Sequence, residues 1–583
     1  MAVAALVVYA AGACPTIYVG DSGELVAAVD VLGIPHPSGY PLYVLLGKLW
    51  TLLLPLGSVA YRMSLFSAAC AAAACGLLHH LCRRLGLGAP AAAFAALLLA
   101  VSPSLWGEAN VQRVYALNLL FVLAVVWWAF EWRRSGRDRD LVIACLLCGL
   151  GACNHTFLGF VAFALGLFAL RTRPRLLRRP RMLLAMPAAA LAGLLPYAYL
   201  PLRSAMDPPL DWGNPETLEG FLGVVLRRDF WDRKWIEGPA DLLVIGADYF
   251  RSLGAELMWV GAALAVFALW AGRRRWPLLL PLLIMGANAA AMAAHGSRSD
   301  IFIWHRYYVP SYAMAALLAG MGLQALLERA APSGRLRALA WTALALPLAG
   351  LVLHWKEFDR SRYQVADDFS RKLLATLPPG AHLAATDDNI LFVLIYLKFV
   401  EGLRPDVDLI LQGVGGANLP NLRFNPDDEG LFFTHHPNWR NEQLAVVPVG
   451  LVFQVARAGT VPPLRLPQEP LEGAHEAEVP KDYLTQNLIG QWHYMLGSTF
   501  EARDWRRAQA EFERAARSAP GNDVLFYNLG LIYWGNGLFE ESLQAFQRSY
   551  EINPRHIASR ERVRPIDKVM QARAEVERLR EVE

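Results

Sequence analysis

The chain has 583 residues, of which 55% are hydrophobic and 18% charged, with a mean hydropathy of +0.29. A water-soluble protein carries roughly a quarter charged residues, so the surplus apolar surface requires a lipid phase and an ordinary soluble enzyme is excluded. Net charge is only +4 and the 55 Lys and Arg cluster between apolar runs, which argues against a nucleic-acid-binding surface.

A membrane span needs about 20 apolar residues to cross roughly 30 Å of hydrocarbon. Runs of that character lie at 1–18, 62–82, 88–105, 109–130, 141–153, 156–170, 182–202, 252–272, 276–294, 306–327 and 337–353, with 141–170 read as a broken or tilted pair. They predict a mostly α, polytopic membrane protein of about eleven transmembrane helices. The first run contains Met1 and no basic leader or small-residue cleavage site precedes DSGE, so it reads as a retained, truncated span and not a signal peptide. Arg83 and Arg84, the cluster from Arg133 to Arg139, the run from Arg171 to Arg181, Arg273 to Arg275, and Arg329, Arg335 and Arg337 fall in alternate connections. By the positive-inside rule these are cytoplasmic, which predicts an N-terminus inside and the C-terminal part outside. Tyr40 to Leu56 would break that alternation as a crossing, so it reads as a surface or re-entrant helix with Lys48 snorkelling to the interface. All seven cysteines precede residue 154 and read as small buried hydrophobes.

Residues 1–354 are thus the membrane domain, with external loops at 19–61 and 203–251. Residues 355–480 read as a periplasmic α/β domain: HLAAT (382–386) as a strand, Ile390 to Val400 as a helix and RPDVDLILQ (404–412) as a strand. In 481–583, Trp492 and Phe526, Ala508 and Ser542, Phe512 and Phe546, Ala515 and Ser549, and Pro520 and Pro554 stand 34 apart, with Gly497 and Gly530 in the first helices. That is the tetratricopeptide period, with 481–491 and 561–583 expected as capping helices and a protein partner expected on the repeats.

Ionisable residues at a membrane face are expensive and mark functional candidates. Asp21 and Glu24 lie one helical turn apart directly after the first span. One carboxylate could take a proton from a hydroxyl while the other positions a donor or cation; equally, the two could form a helix N-cap and capping box. His36, in the rigid HPSGYP turn with Tyr40, suits either a phosphate or a turn role. Glu108, Asn110, Gln112 and Arg113, then Asn154 and His155, Arg203, and Arg298, Asp300, His305 and Arg306 gather at the external ends of spans. Arginines there suit a lipid phosphate, because guanidinium pairs bidentately with phosphate oxygens. The segment 207–238, with Asp211 and Trp212, fits a sugar or headgroup as well as an interfacial aromatic belt. Asp387 and Asp388 read as helix caps more readily than as catalysts.

GDSGELVAAVDVLGIPHPSGYPLYVLLGKL, RVYALN (113–118), GLGACNHTFLG (149–159), YLPLRSAMDPPLDWGNPETLEGFL (199–222) and RYYVPSYA (306–313) together resemble the transmembrane-protein-260-like family, over about residues 1–415. That family belongs to the multi-spanning C superfamily of glycosyltransferases (GT-C) and is related to protein O-mannosyltransferases. The resemblance implies transfer of a sugar from a polyprenyl-phosphate donor to a hydroxyl of a protein or glycan acceptor, with inversion. It implies Asp21 as base and Glu24 as its helper. Arg113, His155, Arg203 and Arg306 are then candidates for the leaving phosphate, with His36, Tyr40, Asn154, Asp211 and Trp212 as substrate contacts. No cofactor or metal cluster is required, although an Asp21/Glu24 pair can hold a divalent cation. The alternatives are a non-enzymatic membrane anchor for a tetratricopeptide scaffold in envelope assembly and, behind it, a lipid-linked sugar transporter, which would need polar residues through both leaflets.

Overall fold

The computed structural model describes residues 1–230, 236, 238–271, 276–295, 305–330, 340–411, 430–437 and 442–554. The expectations for Arg273 to Arg275, Arg298, Asp300, Arg335, Arg337 and the 561–583 helix lie outside these residues.

The described residues up to 358 form helices joined by loops. Among the described residues, four helices are long and apolar enough to cross a membrane: Val59–Arg84, Tyr115–Ser135, Trp276–Ala294 and His305–Arg329. Three further pairs pass the same test only as bent units, giving up to seven. Helices such as Asp138–Ala152 and Leu158–Thr172 are shorter, with Asn154 and His155 in the break between them. Leu184, Leu191, Leu195, Val266, Trp270 and Val352 lie fully on the outside, an apolar skin that only lipid would cover.

The breaks have local causes. Pro103 follows extended Ser102 and cannot continue the Ala89–Ala100 helix, so the chain bends by 64° into Pro103–Ala109. The run 252–272, expected as one span, is instead two helices meeting at 106°, because Met258 and Trp259 both adopt left-handed backbone and reverse the chain. Gly254 makes room there for the Trp259 ring, which an added Cβ would meet at 2.5 Å. The expected spans 1–18 and 109–130 are likewise interrupted: the first helix is only Ala2–Ala11, and the later one starts at Tyr115. The interruptions face each other. Gln112 Nε2 donates to the Thr16 carbonyl, Gln112 Oε1 accepts from the Tyr18 amide, and the Cys14 amide donates to the Asn110 carbonyl. Apolar residues at 12–20 are thus used to build a floor and not a crossing.

The surface helix is present as Pro41–Leu53, with Leu45, Leu49, Leu52 and Leu53 outward. Lys48 does not snorkel; its ammonium donates to the Asp30 carbonyl at 2.6 Å.

Beyond the Ala345–Phe358 helix comes a five-stranded sheet of order β2-β1-β3-β5-β4, with β1 His382–Ala385, β2 Asp408–Leu411, β3 Leu431–Phe433, β4 Leu444–Pro448 and β5 Phe453–Arg457. β1 pairs in parallel with both β2 and β3, and β5 pairs antiparallel with β3 and β4. The Asp388–Phe399 helix joins β1 to β2 and lies on the Ser22–Val31 helix so closely that a Cβ on Gly23 would sit 2.0 Å from the Phe392 carbonyl oxygen. Only glycine permits that approach.

Four helices follow: Tyr483–Phe500, Trp505–Ser518, Asp523–Gly535 and Phe539–Ile552. Gly497 faces the Phe512 ring and Gly530 the Phe546 ring, the same contact one period later. Residues 481–491 are no separate cap; from Tyr483 they are the start of the first of these helices, continuous through Trp492. This unit is no appendage either, since Leu484 reaches Gly20 and Tyr363 bonds Thr485.

Candidate active site around Asp21

Asp21 precedes the Ser22–Val31 helix and its side chain is 29% exposed. It does not cap the helix through its side chain. Instead Arg113 Nη1 donates to its Oδ2 at 2.7 Å, while Arg113 Nη2 donates to the Val19 carbonyl at 2.7 Å. The Gln112 staples hold both strands of this contact, so the pair is preset. Burial alone would raise the Asp21 carboxyl; Arg113 first, then Arg306, His36 and Arg227, outweigh it and pull it down to about 2.

Glu24, expected as the helper of Asp21, is committed elsewhere. It is fully buried, and its two oxygens accept from the His36 backbone amide at 2.7 Å and from His36 Nδ1 at 2.5 Å. His36 Nε2 in turn meets the Tyr40 hydroxyl at 2.9 Å. The HPSGYP turn is thereby locked: Tyr40 sits in left-handed backbone at φ 43, an arrangement costing about 1 kcal/mol that the relay holds in place. Burial lowers the His36 imidazole, but Glu24 raises it further, so it stands above its ordinary value. With Asp21 on Arg113 and Glu24 on His36, each carboxylate of the expected divalent-cation pair has its own protein partner. Among the described residues no group of three or more His, Cys, Asp or Glu could hold a metal ion.

Arg306 stacks its guanidinium over Tyr115 and Tyr307, both at 5.5 Å. His155 is buried in the same aromatic group, its ring 5.7 Å from Tyr115 and 6.2 Å from Tyr40. Asn154 donates to the Val114 carbonyl and so pins the residue next to Arg113. Arg113, Arg306 and Glu108 line a cavity of about 280 Å³ that reaches Asp482, Tyr483 and Leu484. Trp212 is delivered by pairing of the second external loop with the first: the Ile34 amide donates to the Leu210 carbonyl and the Trp212 amide to the Ile34 carbonyl. Its ring then meets His36 edge-on at 6.2 Å. Asp211 stays beneath, accepting from Ser204.

One expected phosphate partner, Arg203, lies elsewhere. Arg203 donates to the carbonyls of Leu32 and Val31, at the C-terminal end of the helix whose other end carries Asp21. Ten residues of helix separate the two by roughly 15 Å, and the exposed carbonyls there are a natural guanidinium partner. His305 lines the same cavity as Arg113 and Arg306 and is paired with Asp248 at 3.2 Å.

Two residues join the site unexpectedly. Arg227 acts on Asp21, His36 and Tyr40 electrostatically and keeps its Nε buried without a hydrogen-bond partner. Asp387 caps the Asp388–Phe399 helix through the Asn389 amide, which leaves Asp388 free of that duty. Asp388 stands at the rim, where partial desolvation of its carboxyl and then the charges of Asp21, Asp387 and Glu24 push it up to about 7. Two adjacent acids before a helix were the available signal, since only one can be the cap. Arg113 and Arg306 share with Arg227 a buried Nε lacking a partner. All three guanidinium groups act on Asp21 electrostatically, a cationic cradle around one carboxylate.

Comparison with known proteins bears on family and fold. Residues 21–177 match the family model of the N-terminal domain of protein O-mannosyl-transferase TMEM260, bearing out the resemblance carried by the ordered motifs. Protein O-mannosyl-transferase TMEM260 of Mus musculus is 31% identical over 443 residues, 70% of this chain and 63% of that protein. Its counterpart from Dictyostelium discoideum is 23% identical over 470 residues, 69% of this chain and 55% of that protein. The chain therefore spans less than two thirds of the length of either relative. The crystal structure of ArnT from Cupriavidus metallidurans bound to undecaprenyl phosphate superposes with a TM-score of 0.50 at 16% identity, covering 79% of this chain and 98% of that one, a likeness of fold.

Proposed function

We propose that this multi-pass membrane protein is a glycosyltransferase that moves a sugar from a polyprenyl-phosphate donor to a hydroxyl of a protein acceptor, with Asp21 as the general base. The observation that carries the reading is the cradle itself: Asp21 paired with Arg113 among guanidinium groups whose buried Nε donors lack partners. The TMEM260 relatives support the reaction class and the protein acceptor, and the GT-C-like fold supports a donor presented from the bilayer.

The chemistry follows from the charges. A carboxyl held at about 2 is a weak base while Arg113 grips it. A donor phosphate entering the cavity competes for Arg113 and Arg306, and as the guanidinium turns to the phosphate, Asp21 is released at the moment its basicity is needed. The acceptor oxygen then attacks the anomeric carbon from the face opposite the phosphate and its proton passes to an Asp21 oxygen. The bond from the anomeric carbon to the phosphate oxygen breaks, the electron pair leaving on the phosphate, where the arginines stabilise it. A single displacement of this kind inverts the anomeric centre. The helix-capping role of Arg203 keeps the other end of the Ser22–Val31 helix in place. We place the reaction at the periplasmic face of a bacterial inner membrane.

Proteoliposomes supplied with a labelled polyprenyl-phosphate sugar and a serine- and threonine-containing peptide test this. The wild type should transfer label, and Asp21→Asn should lose roughly 10²- to 10⁴-fold in rate at unchanged abundance and melting temperature. Full transfer by that variant removes Asp21 from the mechanism.

A further inference from the structure

The carboxyl edge of the sheet faces the C-terminal helices across a cleft that the transfer step itself does not occupy. The chain leaves β1 toward β2 through the Asp388–Phe399 helix, whereas β3 lies on the other side of β1. Such a switch of direction opens a crevice beyond the strand ends, where α/β folds bind ligands. Here the crevice is a cavity of about 400 Å³. Thr386, Asp387 and His435, just past β1 and β3, form one wall; Asn487, Gln491 and Asn528, on the first helices of the two consecutive pairs, form the other.

We propose that this cleft binds an extended polypeptide segment and presents its hydroxyl side chains to Asp21. The word acceptor for that segment rests on the glycosyltransferase reading; the binding does not. A side-chain amide offers one donor group and one acceptor, as a peptide group does. Asn487 Oδ1 is shielded from water and lacks a partner, while Gln491 spends its Nε2 on the Thr434 carbonyl and retains its oxygen. Residues 487 and 491 are one turn apart on their helix, a rise of about 6 Å. Two residues of extended chain advance about 6.6 Å, so successive peptide groups on one side of a strand meet successive amides. Tyr483 and Tyr494 add ring faces for the side chains that alternate with them. The charged lining is Asp387, Asp523 and His435, which disfavours an anionic ligand.

The cleft also leads to the reacting centre. Tyr483 lines both this cavity and the one that holds Arg113 and Arg306. The next residue, Leu484, abuts Gly20, beside Asp21, and Asp388 at the rim follows Asp387 in the cleft.

The test uses the full chain in nanodiscs and a fluorescein-labelled dodecapeptide of alternating serine and alanine with lysine ends, read by anisotropy. Wild type should bind it, and the triple variant Asn487→Ala, Gln491→Ala, Asn528→Ala should bind on the order of tenfold to hundredfold more weakly, about one net hydrogen bond's worth per amide or less. If the triple variant melts early, the near-isosteric Asn528→Leu alone should still weaken binding severalfold. Unchanged affinity in variants that fold overturns the proposal, as does displacement of the peptide by a neutral oligosaccharide at lower concentration than by unlabelled peptide. The two readings separate cleanly: a wild type that binds peptide through these amides yet transfers no sugar refutes the enzyme and keeps the cleft, whereas transfer with unaltered binding in the variants does the reverse.

Discussion

The loop after the first helix and the rim of the sheet meet at Asp21, and they are built in opposite ways. In the loop the charged groups are paired in advance: Asp21 on Arg113, Glu24 on His36, His36 on Tyr40, with Gln112 on Thr16 and Tyr18 and Arg203 on Val31 and Leu32 bracing them. At the rim Asp388 stands exposed and Asn487 keeps an unused oxygen. A reaction that is always the same rewards a floor fixed in advance, because only the Arg113 guanidinium then has to turn when the donor arrives. A partner that varies in sequence rewards spare hydrogen-bonding capacity.

The contrast can be broken at several points. Arg113→Lys keeps the charge but loses the fork that holds Asp21 and the Val19 carbonyl together; we expect transfer to fall about 10²-fold or more in initial-rate assays. A rate within threefold of wild type would mean that rigidity of the floor is immaterial. Glu24→Gln removes the buried anion facing His36 and should cost about 3 kcal/mol in unfolding free energy. Because Glu24 raises the His36 imidazole, that contribution is whole below the ordinary histidine range and is lost as pH rises through the elevated value. The gap in melting temperature between wild type and variant should therefore narrow above neutrality. At the rim, Asp388 ionises around pH 7 and then adds negative charge where a donor phosphate arrives. Wild-type transfer should decline about two- to fivefold as pH rises through 7, and Asp388→Asn should flatten that limb. Smallest of all, Arg203→Ala removes a helix-end contact worth about 1 kcal/mol and should leave donor affinity unchanged in a binding titration. A large loss of affinity there would return Arg203 to the phosphate site.

How much of this was legible in the chain depended on whether the signal was local. HLAAT, the apolar run after it and RPDVDLILQ became β1, a helix and β2 because each carries its own period. Asp21 and Arg113 could be shortlisted because a charge at a membrane face is conspicuous. What could not be read was allocation among partners. Glu24 and Arg203 are the right residue types one turn and one helix away from the right place, and only the fold assigns them to His36 and to the carbonyls of Val31 and Leu32. Arg227 was hidden in a segment rich in similar side chains. The reversal at Met258 and Trp259 left no proline or glycine at the turn itself, so hydropathy alone ran the span straight through it.

The glycine at position 23 sets the order in which this molecule becomes competent. Its bare backbone touches the carbonyl of Phe392, so the helix that starts at the reacting acid is clamped by a segment that follows the whole membrane part in the chain. A ribosome-bound chain that ends before that segment presents the acid without its clamp, and Asp388 and the cleft beside it do not yet exist. One close contact thus ties the start of the chain to a segment made hundreds of residues later.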